Sequence, residues 1–136
     1  MPFWLCDVDG TLALHNNRDP YRWQDATSDA LNVPVHRVVS ALADRGDSVI
    51  FLSGRPEEAR LVTETWLTSH FHFAIDLRLR ASGDNRPDPE VKADLYRQLV
   101  AERGPASGVF DDRQRVVDMW RNDFGLICFQ VADGHF

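Results

Sequence analysis

The sequence lacks the features that define several classes of protein. It has only two cysteines, Cys6 and Cys128, each inside an apolar run, which favours buried thiols over a disulfide or a metal-binding pair. Its apolar runs are short, and none approaches the roughly 20 residues that a membrane span needs. No charged leader precedes the first apolar segment, so we expect no signal peptide and a cytoplasmic location.

Positive charge is also scarce. Lysine and arginine together number 15 against 21 acidic residues, which gives a net charge of −6 and a pI of about 5.2. This balance argues against a broad basic surface that follows a nucleic-acid backbone, but it allows a pocket that holds one terminal phosphate. Lys92 is the single lysine. A coding bias towards arginine explains most of that skew, and a specific role for Lys92 is the alternative.

Short apolar segments alternate with segments of helical periodicity along the chain of 136 residues. This alternation is typical of an α/β fold with a parallel sheet covered by helices, and the length suits a single domain, residues 1–136. The predicted strands are residues 3–6, 48–52, 71–79, 109–110 and 126–131. Residues 10–33 are polar, with turn signals at Asn16-Asn17 and Asp19-Pro20, and are predicted to form a long loop or flap.

Acidic side chains cluster where predicted strands end. Asp7 and Asp9 follow the first strand, and Asp111 and Asp112 follow the strand at 109–110. Because the carboxyl ends of parallel strands meet at one edge of a sheet, we expect these carboxylates to lie together, where they need a cation. Mg²⁺ fits, since it prefers oxygen ligands. The alternative for the second pair is a cap on the helix that follows.

Four motifs, in order along the chain, resemble those of the haloacid dehalogenase (HAD) superfamily phosphatases. They are Asp7-Val8-Asp9-Gly10-Thr11-Leu12, Ser53-Gly54-Arg55 after Phe51-Leu52, Lys92, and Phe110-Asp111-Asp112. The resemblance covers nearly the whole chain. It implies a Rossmann-like parallel sheet with helices on both faces and a minimal or small cap, for which residues 57–86 are the candidate segment. It also implies an Mg²⁺-dependent phosphoric monoester hydrolase.

The same resemblance assigns roles in catalysis. Asp7 attacks phosphorus and forms an aspartyl-phosphate. Asp9 protonates the leaving group and then activates water, which requires a pKa well above its reference value of about 3.9, at least when substrate is bound. Lys92 supplies a positive charge beside the nucleophile and the phosphate.

The remaining motif residues are implied to bind phosphate and metal. Ser53 donates a hydrogen bond to a phosphoryl oxygen, with Gly54 beside it and the N-terminus of the next helix as an anion site. The implied Mg²⁺ ligands are Asp7, the backbone carbonyl of Asp9, Asp111 and Asp112. Which of the two adjacent aspartates contacts the metal directly stays open.

A closer resemblance is to the phosphatase domain of phage-type polynucleotide kinase/phosphatases, and it rests on residues 111–121 and 130–136. Those enzymes remove 3′-phosphates from nucleic-acid ends, and some also open 2′,3′-cyclic phosphates. The resemblance therefore implies 3′-phosphorylated DNA or RNA ends as substrate. It adds Arg18 and Arg55 as arginines that grip the terminal phosphate, and Asp88 as a required acidic residue.

Each added residue has an ordinary alternative. Arg18 is then a solvated loop residue, Arg55 pairs with Glu57 or Glu58 across a helical turn, and Asp88 caps the following helix. In the predicted flap, packing of Tyr21 and Trp23 against the domain is favoured over stacking on a terminal base.

The chain has no Walker A motif, because Val91 rather than a glycine-rich loop precedes Lys92. We therefore expect no 5′-kinase here and leave open a kinase or ligase partner on a separate chain, as well as a homo-oligomer. Two other functions stay open, because fold alone does not choose among them. One is a HAD phosphatase for free nucleotides or other small phosphomonoesters, and the other is a phosphate-binding module without catalysis. The complete set of motif residues favours an enzyme.

Overall fold

A computed structural model describes residues 2–15 and 18–136. Within these residues the strands are β1 (Phe3–Asp7), β2 (Ala13–Leu14), β3 (Ala30–Leu31), β4 (Ser48–Pro56), β5 (Asp76–Arg80), β6 (Gly108–Asp111) and β7 (Cys128–Gln130). The α-helices are α1 (Val33–Asp44), α2 (Arg60–His70), α3 (Asp88–Arg103) and α4 (Gln114–Phe124). Two 3₁₀ helices, Trp23–Ser28 and Glu57–Ala59, precede β3 and α2.

Five strands form one parallel sheet in the order β5-β4-β1-β6-β7, and the short β2 and β3 pair antiparallel outside it. β1 lies between β4 and β6. The strands that follow β1 first, β4 and β5, therefore lie on one side of it, and the later strands β6 and β7 lie on the other side. Such a switch in strand order opens a crevice beyond the carboxyl ends of the strands, where ligands bind in open α/β sheets.

The sheet is buried on both faces. Ile50 and Leu52 of β4 belong to one hydrophobic core, which α3 and α4 complete, whereas Val49 and Phe51 belong to a second core with α1 and α2. Successive residues of a strand point to opposite faces, so a strand that is buried on both sides has the continuous apolar sequence from which it was predicted. The predicted α/β fold with helices on both faces is confirmed.

The predicted strand over 71–79 begins too early. β5 starts at Asp76, and His70 is the last residue of α2, so residues 71–75 are not part of a strand. Phe71 and Phe73 do point into the core, where their ring centroids lie 5.4 and 6.1 Å from that of Phe51. An apolar run of this length indicates burial but does not distinguish a strand from an irregular buried segment.

The predicted position of the small cap is also wrong. Residues 57–86 contribute α2 and β5 to the main domain, and the small insert lies instead between β1 and α1, where it consists of β2, the 3₁₀ helix Trp23–Ser28 and β3. This insert occupies the segment that was predicted to be a loop. The indole N–H of Trp66 on α2 donates to the backbone carbonyl of Asp29 at 2.9 Å and ties the insert to the domain. The predicted turn at Asn16-Asn17 lies outside the described residues.

Two smaller expectations concern cysteines and membranes. Cys6 and Cys128 are free and buried, as predicted. Burial raises the pKa of the Cys6 thiol well above its ordinary value and that of Cys128 to about 12.

In the described part of the chain, no helix combines the length and the apolar character that a membrane crossing requires.

The core makes a prediction about stability. Leu99 of α3 is fully buried against the sheet, so Leu99→Ala leaves a cavity and should lower the free energy of unfolding by about 2 to 5 kcal/mol. Leu61→Ala is the matched control, because Leu61 is 78% exposed and its truncation should change stability by no more than about 0.5 kcal/mol. Urea unfolding followed by circular dichroism measures both, and equal losses in the two variants would contradict the packing described above.

Candidate active site

Three carboxylates meet at the carboxyl edge of the sheet. Asp7 ends β1, and Asp111 and Asp112 lie at the end of the neighbouring β6. All three side chains are buried, and one carboxylate oxygen from each lies within 4.8 Å of the others. The structure therefore brings Asp7, from the first acidic pair, together with both members of the second pair, whereas Asp9, which was also expected here, does not belong to this cluster.

Lys92 is the counter-charge of this cluster. Its Nζ donates to Oδ1 of Asp7 at 2.7 Å and to Oδ2 of Asp111 at 3.1 Å. Burial by itself lowers the pKa of Lys92, but the Asp111 and Asp7 carboxylates outweigh burial and hold that pKa above its ordinary value, so Lys92 stays a cation. The single lysine of the chain thus lies in the candidate site.

One ammonium does not balance three carboxylates. Burial, followed by the Asp111 carboxylate, raises the pKa of Asp7 well above its ordinary value against the pull of Lys92. Burial likewise raises the pKa of Asp112. A divalent cation among these oxygens would remove the excess negative charge, and carboxylate oxygens are the ligands that hard cations such as Mg²⁺ take. The donor set therefore fits a metal site.

The two adjacent aspartates have different surroundings. Oδ1 of Asp111 accepts the backbone N–H of Asp112 at 2.9 Å, and its Oδ2 accepts Lys92 and, at 3.2 Å, the indole N–H of Trp120. Both oxygens of Asp111 are therefore engaged by the protein itself. The carboxylate of Asp112 accepts only one hydrogen bond among the described residues, a long one of 3.4 Å from the hydroxyl of Thr11. Neither aspartate caps α4, whose N-cap is Arg113 with no side-chain hydrogen bond.

The turn after β1 brings the chain against Asp112. Gly10 has φ +82, and a Cβ atom there would lie 2.1 Å from Oδ2 of Asp112. A side chain at this position is excluded both by the backbone conformation and by the space. Thr11 in the same turn donates its hydroxyl hydrogen to Oδ2 of Asp7 at 2.9 Å. The glycine and threonine of the first motif therefore keep the two carboxylates close and oriented.

Asp9 faces away from this cluster and pairs with Arg55. The guanidinium donates from Nε to Oδ2 at 2.9 Å and from Nη2 to Oδ1 at 2.6 Å, and His15 lies 2.6 Å from Oδ1. Burial raises the pKa of Asp9, but the hydrogen bonds from His15 and Arg55 prevail and hold it well below its ordinary value. This direction is opposite to the one that acid catalysis by Asp9 requires.

Asp29 is a buried residue of this site that the sequence did not single out. Its Oδ1 accepts Nε of Arg18 at 2.6 Å, and its Oδ2 accepts Nη2 of Arg18 at 3.0 Å and Nη2 of Arg55 at 3.2 Å. The two arginines that were predicted to grip phosphate thus share one internal carboxylate. Asp29 lies in a polar segment among exposed residues, and no local pattern distinguishes it from a surface aspartate.

The guanidinium groups of Arg18 and Arg55 have further partners inside the domain. Nη1 of Arg18 donates to the backbone carbonyls of Asp19 and Pro20 at 3.1 and 3.3 Å, and Nη1 of Arg55 donates to the hydroxyl of Thr63 at 3.0 Å. Arg55 lines the cleft above Asp7, whereas Arg18 does not. Neither the solvated loop arginine nor the pairing of Arg55 with Glu57 or Glu58 is observed.

The second motif has an equally specific arrangement. Ser53 is fully buried, and its hydroxyl accepts the backbone N–H of Arg55 at 3.0 Å. It does not line the cleft, and the 3₁₀ helix Glu57–Ala59 separates it from α2. Gly54 does line the cleft, and a Cβ atom there would lie 2.6 Å from Oδ1 of Asp88. The glycine therefore admits the close approach of an acidic side chain.

Asp88 joins two arginines at the rim of the site. Its Oδ2 accepts Nη1 of Arg113 at 2.7 Å, and its Oδ1 accepts Nη2 of Arg80. Asp88 is the first residue of α3, whose N-cap is Pro87, so the capping alternative does not apply. Arg80 also donates from Nε to the carbonyl of Gly54 at 2.8 Å, which fixes the second motif against the start of α3.

Both acidic groups border one cleft of about 1020 Å³, which Asp7, Asp9, Asp111, Asp112, Arg55 and Lys92 line. Its floor is charged and includes Asp7, Asp112 and Lys92, and the aromatic residues Tyr21, Trp23 and Phe136 also line it. A cleft of this size admits a nucleotide-sized ligand. The predicted roles of the individual residues stay predictions, but the geometry places the Asp7 carboxylate, the Lys92 ammonium and the Asp112 carboxylate around a single opening.

Comparison with known proteins identifies a family model and relatives that the chain matches. Residues 2–136 match the model of the polynucleotide kinase PNKP phosphatase domain. A putative bifunctional polynucleotide kinase/RNA ligase of Autographa californica nuclear polyhedrosis virus is 34% identical over 121 residues, which are 87% of this chain and 17% of that protein.

Two solved structures are similar over the whole chain. They are the structure of the Pnkp1/Rnl/Hen1 RNA repair complex and the structure of the Pnkp1/Rnl/Hen1 complex, each with a TM-score of 0.91 and 39% sequence identity. They cover 99% and 100% of this chain, which in turn covers 44% and 48% of theirs. The chain therefore spans less than half the length of each of these relatives.

The role of Asp29 can be tested by stability. Asp29→Asn removes the carboxylate nearest to Arg18 and one of the two that pair with Arg55, and leaving the buried Arg18 without its close partner should cost about 3 to 5 kcal/mol in the free energy of unfolding. Asp25→Asn is the matched control in the same insert, because its carboxylate is 46% exposed and pairs with an exposed arginine at 3.0 Å. That variant should lose no more than about 1 kcal/mol. Chemical unfolding of both measures the difference, and similar losses would show that Asp29 does not organise the site.

Proposed function

The chain belongs to the polynucleotide kinase PNKP phosphatase domain family, and from that premise we propose that it removes 3′-phosphates from nucleic-acid ends with the help of Mg²⁺. The observation that carries the proposal is the buried Asp7, oriented by Lys92 at 2.7 Å and Thr11 at 2.9 Å, at the floor of an open cleft. A carboxylate held in this way is a nucleophile with a fixed direction of attack.

Asp7 attacks phosphorus, so that a bond forms between its carboxylate oxygen and phosphorus while the bond to the 3′-oxygen of the sugar breaks. Water then hydrolyses the aspartyl-phosphate and releases inorganic phosphate. Lys92 keeps Asp7 oriented and places a positive charge beside the phosphoryl group. The carboxylates of Asp7 and Asp112 would hold Mg²⁺, which when bound supplies positive charge against the nucleophile and the phosphate.

Asp9 is the proposed acid and base for the leaving group and for water. Its low pKa depends on Arg55 and His15, and Arg55 also lines the cleft. A phosphate dianion in the cleft competes with Asp9 for the Arg55 guanidinium and adds negative charge nearby, and both effects raise the pKa of Asp9. Binding of the substrate thus moves Asp9 towards the protonated form that it needs in order to protonate the 3′-oxygen.

Asp29 and Asp88 are proposed to position other groups. Asp29 holds Arg55 against Asp9 through the 3.2 Å bond to Nη2, and Asp88 holds Arg113 at the rim of the cleft through a 2.7 Å bond. Ser53 supports the backbone of Arg55 in the same way. These residues would act through the groups they orient, and a buried residue such as Ser53 can do so without contacting the substrate.

RNA ends are the proposed substrate, with a ligase as a partner. The relatives support this choice, because one is described as a putative bifunctional polynucleotide kinase/RNA ligase and another belongs to an RNA repair complex. Removal of a 3′-phosphate leaves a 3′-hydroxyl, which is the end that a ligase joins. Kinase and ligase activities would then reside outside these 136 residues.

The central prediction concerns Asp7. With Mg²⁺, the protein should release phosphate from a short 3′-phosphorylated oligoribonucleotide, and Asp7→Asn should lower that rate by about a thousandfold or more because the covalent nucleophile is lost. Asp44→Asn is the matched control, since Asp44 is an exposed aspartate at the end of α1. Malachite-green detection of phosphate measures each rate.

Two results would redirect the proposal. Hydrolysis of 3′-mononucleotides and p-nitrophenyl phosphate without hydrolysis of the oligonucleotide would establish a phosphatase for small phosphomonoesters. Binding of inorganic phosphate without turnover of any ester would establish a phosphate-binding module. A 3′-phosphorylated DNA oligonucleotide, added to the same set of substrates, tests whether RNA ends are preferred over DNA ends. A strand with a 2′,3′-cyclic phosphate tests whether the protein also opens the cyclic ester.

The metal site makes a separate prediction. Mg²⁺ should raise the melting temperature of the protein, because a ligand that binds the folded state stabilises it. Asp112→Asn should abolish most of that rise while leaving the metal-free protein at least as stable, since it removes one of three mutually repelling carboxylates. Asp123→Asn, an exposed position at the end of α4, should keep the full rise. A full Mg²⁺ effect in Asp112→Asn would exclude Asp112 as a ligand.

A further inference from the structure

Three aromatic side chains line the cleft, and two of them already have a partner. The ring of Trp23 packs against the guanidinium groups of Arg18 and Arg55, with distances of 5.6 and 5.2 Å from its centroid. The ring of Phe136 lies 5.1 Å from the guanidinium carbon of Arg113. Both pairs are cation–π contacts within the domain.

Tyr21 is the third aromatic residue, and its surroundings differ. It is 83% exposed although it lines the same cleft as Asp7 and Lys92. Among residues 2–15 and 18–136, no aromatic ring or guanidinium group packs on its ring. A large ring that is exposed at the cleft offers a surface for a planar ligand.

The backbone that carries Tyr21 is nevertheless held in place. Its N–H donates to the side chain of Asp19 at 2.9 Å, and Arg18 donates to the carbonyls of Asp19 and Pro20. Arg18 is in turn fixed by its two bonds to Asp29. The exposed ring is thus attached to the same ion-pair network that orients Asp9, so a ligand that stacks on it has little loop to order on binding.

The charged side chains at the rim of the cleft include few free cations that could bind a nucleic-acid backbone. Arg80 and Arg113 share the carboxylate of Asp88, and Arg86 pairs with Asp84 at 2.9 Å and with Asp94 at 2.6 Å. The rim arginines are therefore paired, and the chain as a whole carries a net charge of −6. Beyond the terminal phosphate, affinity for an oligonucleotide has to come from contacts with sugar and base.

We propose that Tyr21 stacks on the base of the 3′-terminal nucleotide and thereby selects nucleic-acid ends over phosphomonoesters that lack a base. This inference rests on the proposed function and names the residue that recognises the nucleotide. Stacking on an aromatic side chain is tolerant of base identity, because every base has a π-face. The contact therefore suits an enzyme that must act on ends of any sequence.

The test compares two substrates in two variants. One substrate is a 3′-phosphorylated oligoribonucleotide, and the other is the same strand with a stable abasic residue at its 3′-terminal position. Tyr21→Ala should raise KM for the base-containing strand about 5- to 100-fold, with kcat changed far less, in keeping with the loss of one stacked base. The wild-type preference for the base-containing strand over the abasic strand should shrink by the same factor, and Tyr21→Phe should retain it.

Leu61→Ala, which removes another exposed apolar side chain, should preserve the wild-type preference. An equal rise of KM on both strands in Tyr21→Ala, or no rise on either, would overturn the stacking contact while leaving the phosphatase intact. Failure of the wild-type protein to hydrolyse either strand, alongside hydrolysis of small esters, would instead overturn the proposed function and this inference with it. Matching melting temperatures of the variants exclude misfolding as the cause.

Discussion

The burial of three carboxylates against a single ammonium is the constraint on which the rest of this structure depends. Asp7, Asp111 and Asp112 lie at the ends of adjacent strands because β1 and β6 are neighbours, and Lys92 reaches them from the first turns of α3. Such a charge imbalance is costly at low dielectric unless a cation or a proton relieves it. The hydrogen bonds to the three carboxylates differ from one aspartate to the next. Asp111 holds the lysine and the turn through several hydrogen bonds, whereas Asp7 accepts one hydrogen bond on each oxygen and the Asp112 carboxylate accepts only a long one.

A second ion-pair network lies next to the first and has the opposite character. Arg18 and Arg55 face Asp9 and Asp29, so that positive and negative charges are matched. This balance gives Asp9 a fixed position and a low pKa, and it makes Arg55 the group that both the carboxylate and an incoming phosphate contact. The two networks meet at the cleft and differ in what they can bind. The three carboxylates need a further cation, whereas in the second network an anion can compete with Asp9 for Arg55. A phosphate ester with a divalent cation satisfies both at once.

The insert between β1 and α1 connects this chemistry to substrate recognition. It supplies Asp29 and Arg18 to the buried network and presents Tyr21 at the mouth of the cleft. A small acidic domain has few free cations with which to bind a nucleic-acid backbone. The arginines at the rim do not add any, because each of them is already paired with an aspartate. The proposed end-binding enzyme would rely on the terminal phosphate for charge and on a planar contact for the nucleotide, so that recognition would take place within a single cleft rather than along a groove.

The sequence by itself determined the fold class and three of the four residues expected in the acidic cluster, the exception being Asp9. Continuous apolar runs such as 48–52 are what strands buried on both faces require, and Asp7, Asp111 and Asp112 follow such runs directly, so their meeting at one edge follows from parallel strands. The sequence did not determine where the small insert lies, how the buried segment after α2 is shaped, or which charged groups pair. Arg55, Arg18 and Asp88 were identified from family motifs, but their partners Asp9, Asp29, Arg80 and Arg113 are distant in sequence. Charge pairing is decided by distances of a few ångströms between side chains from different elements, and those distances exist only once the tertiary structure has formed.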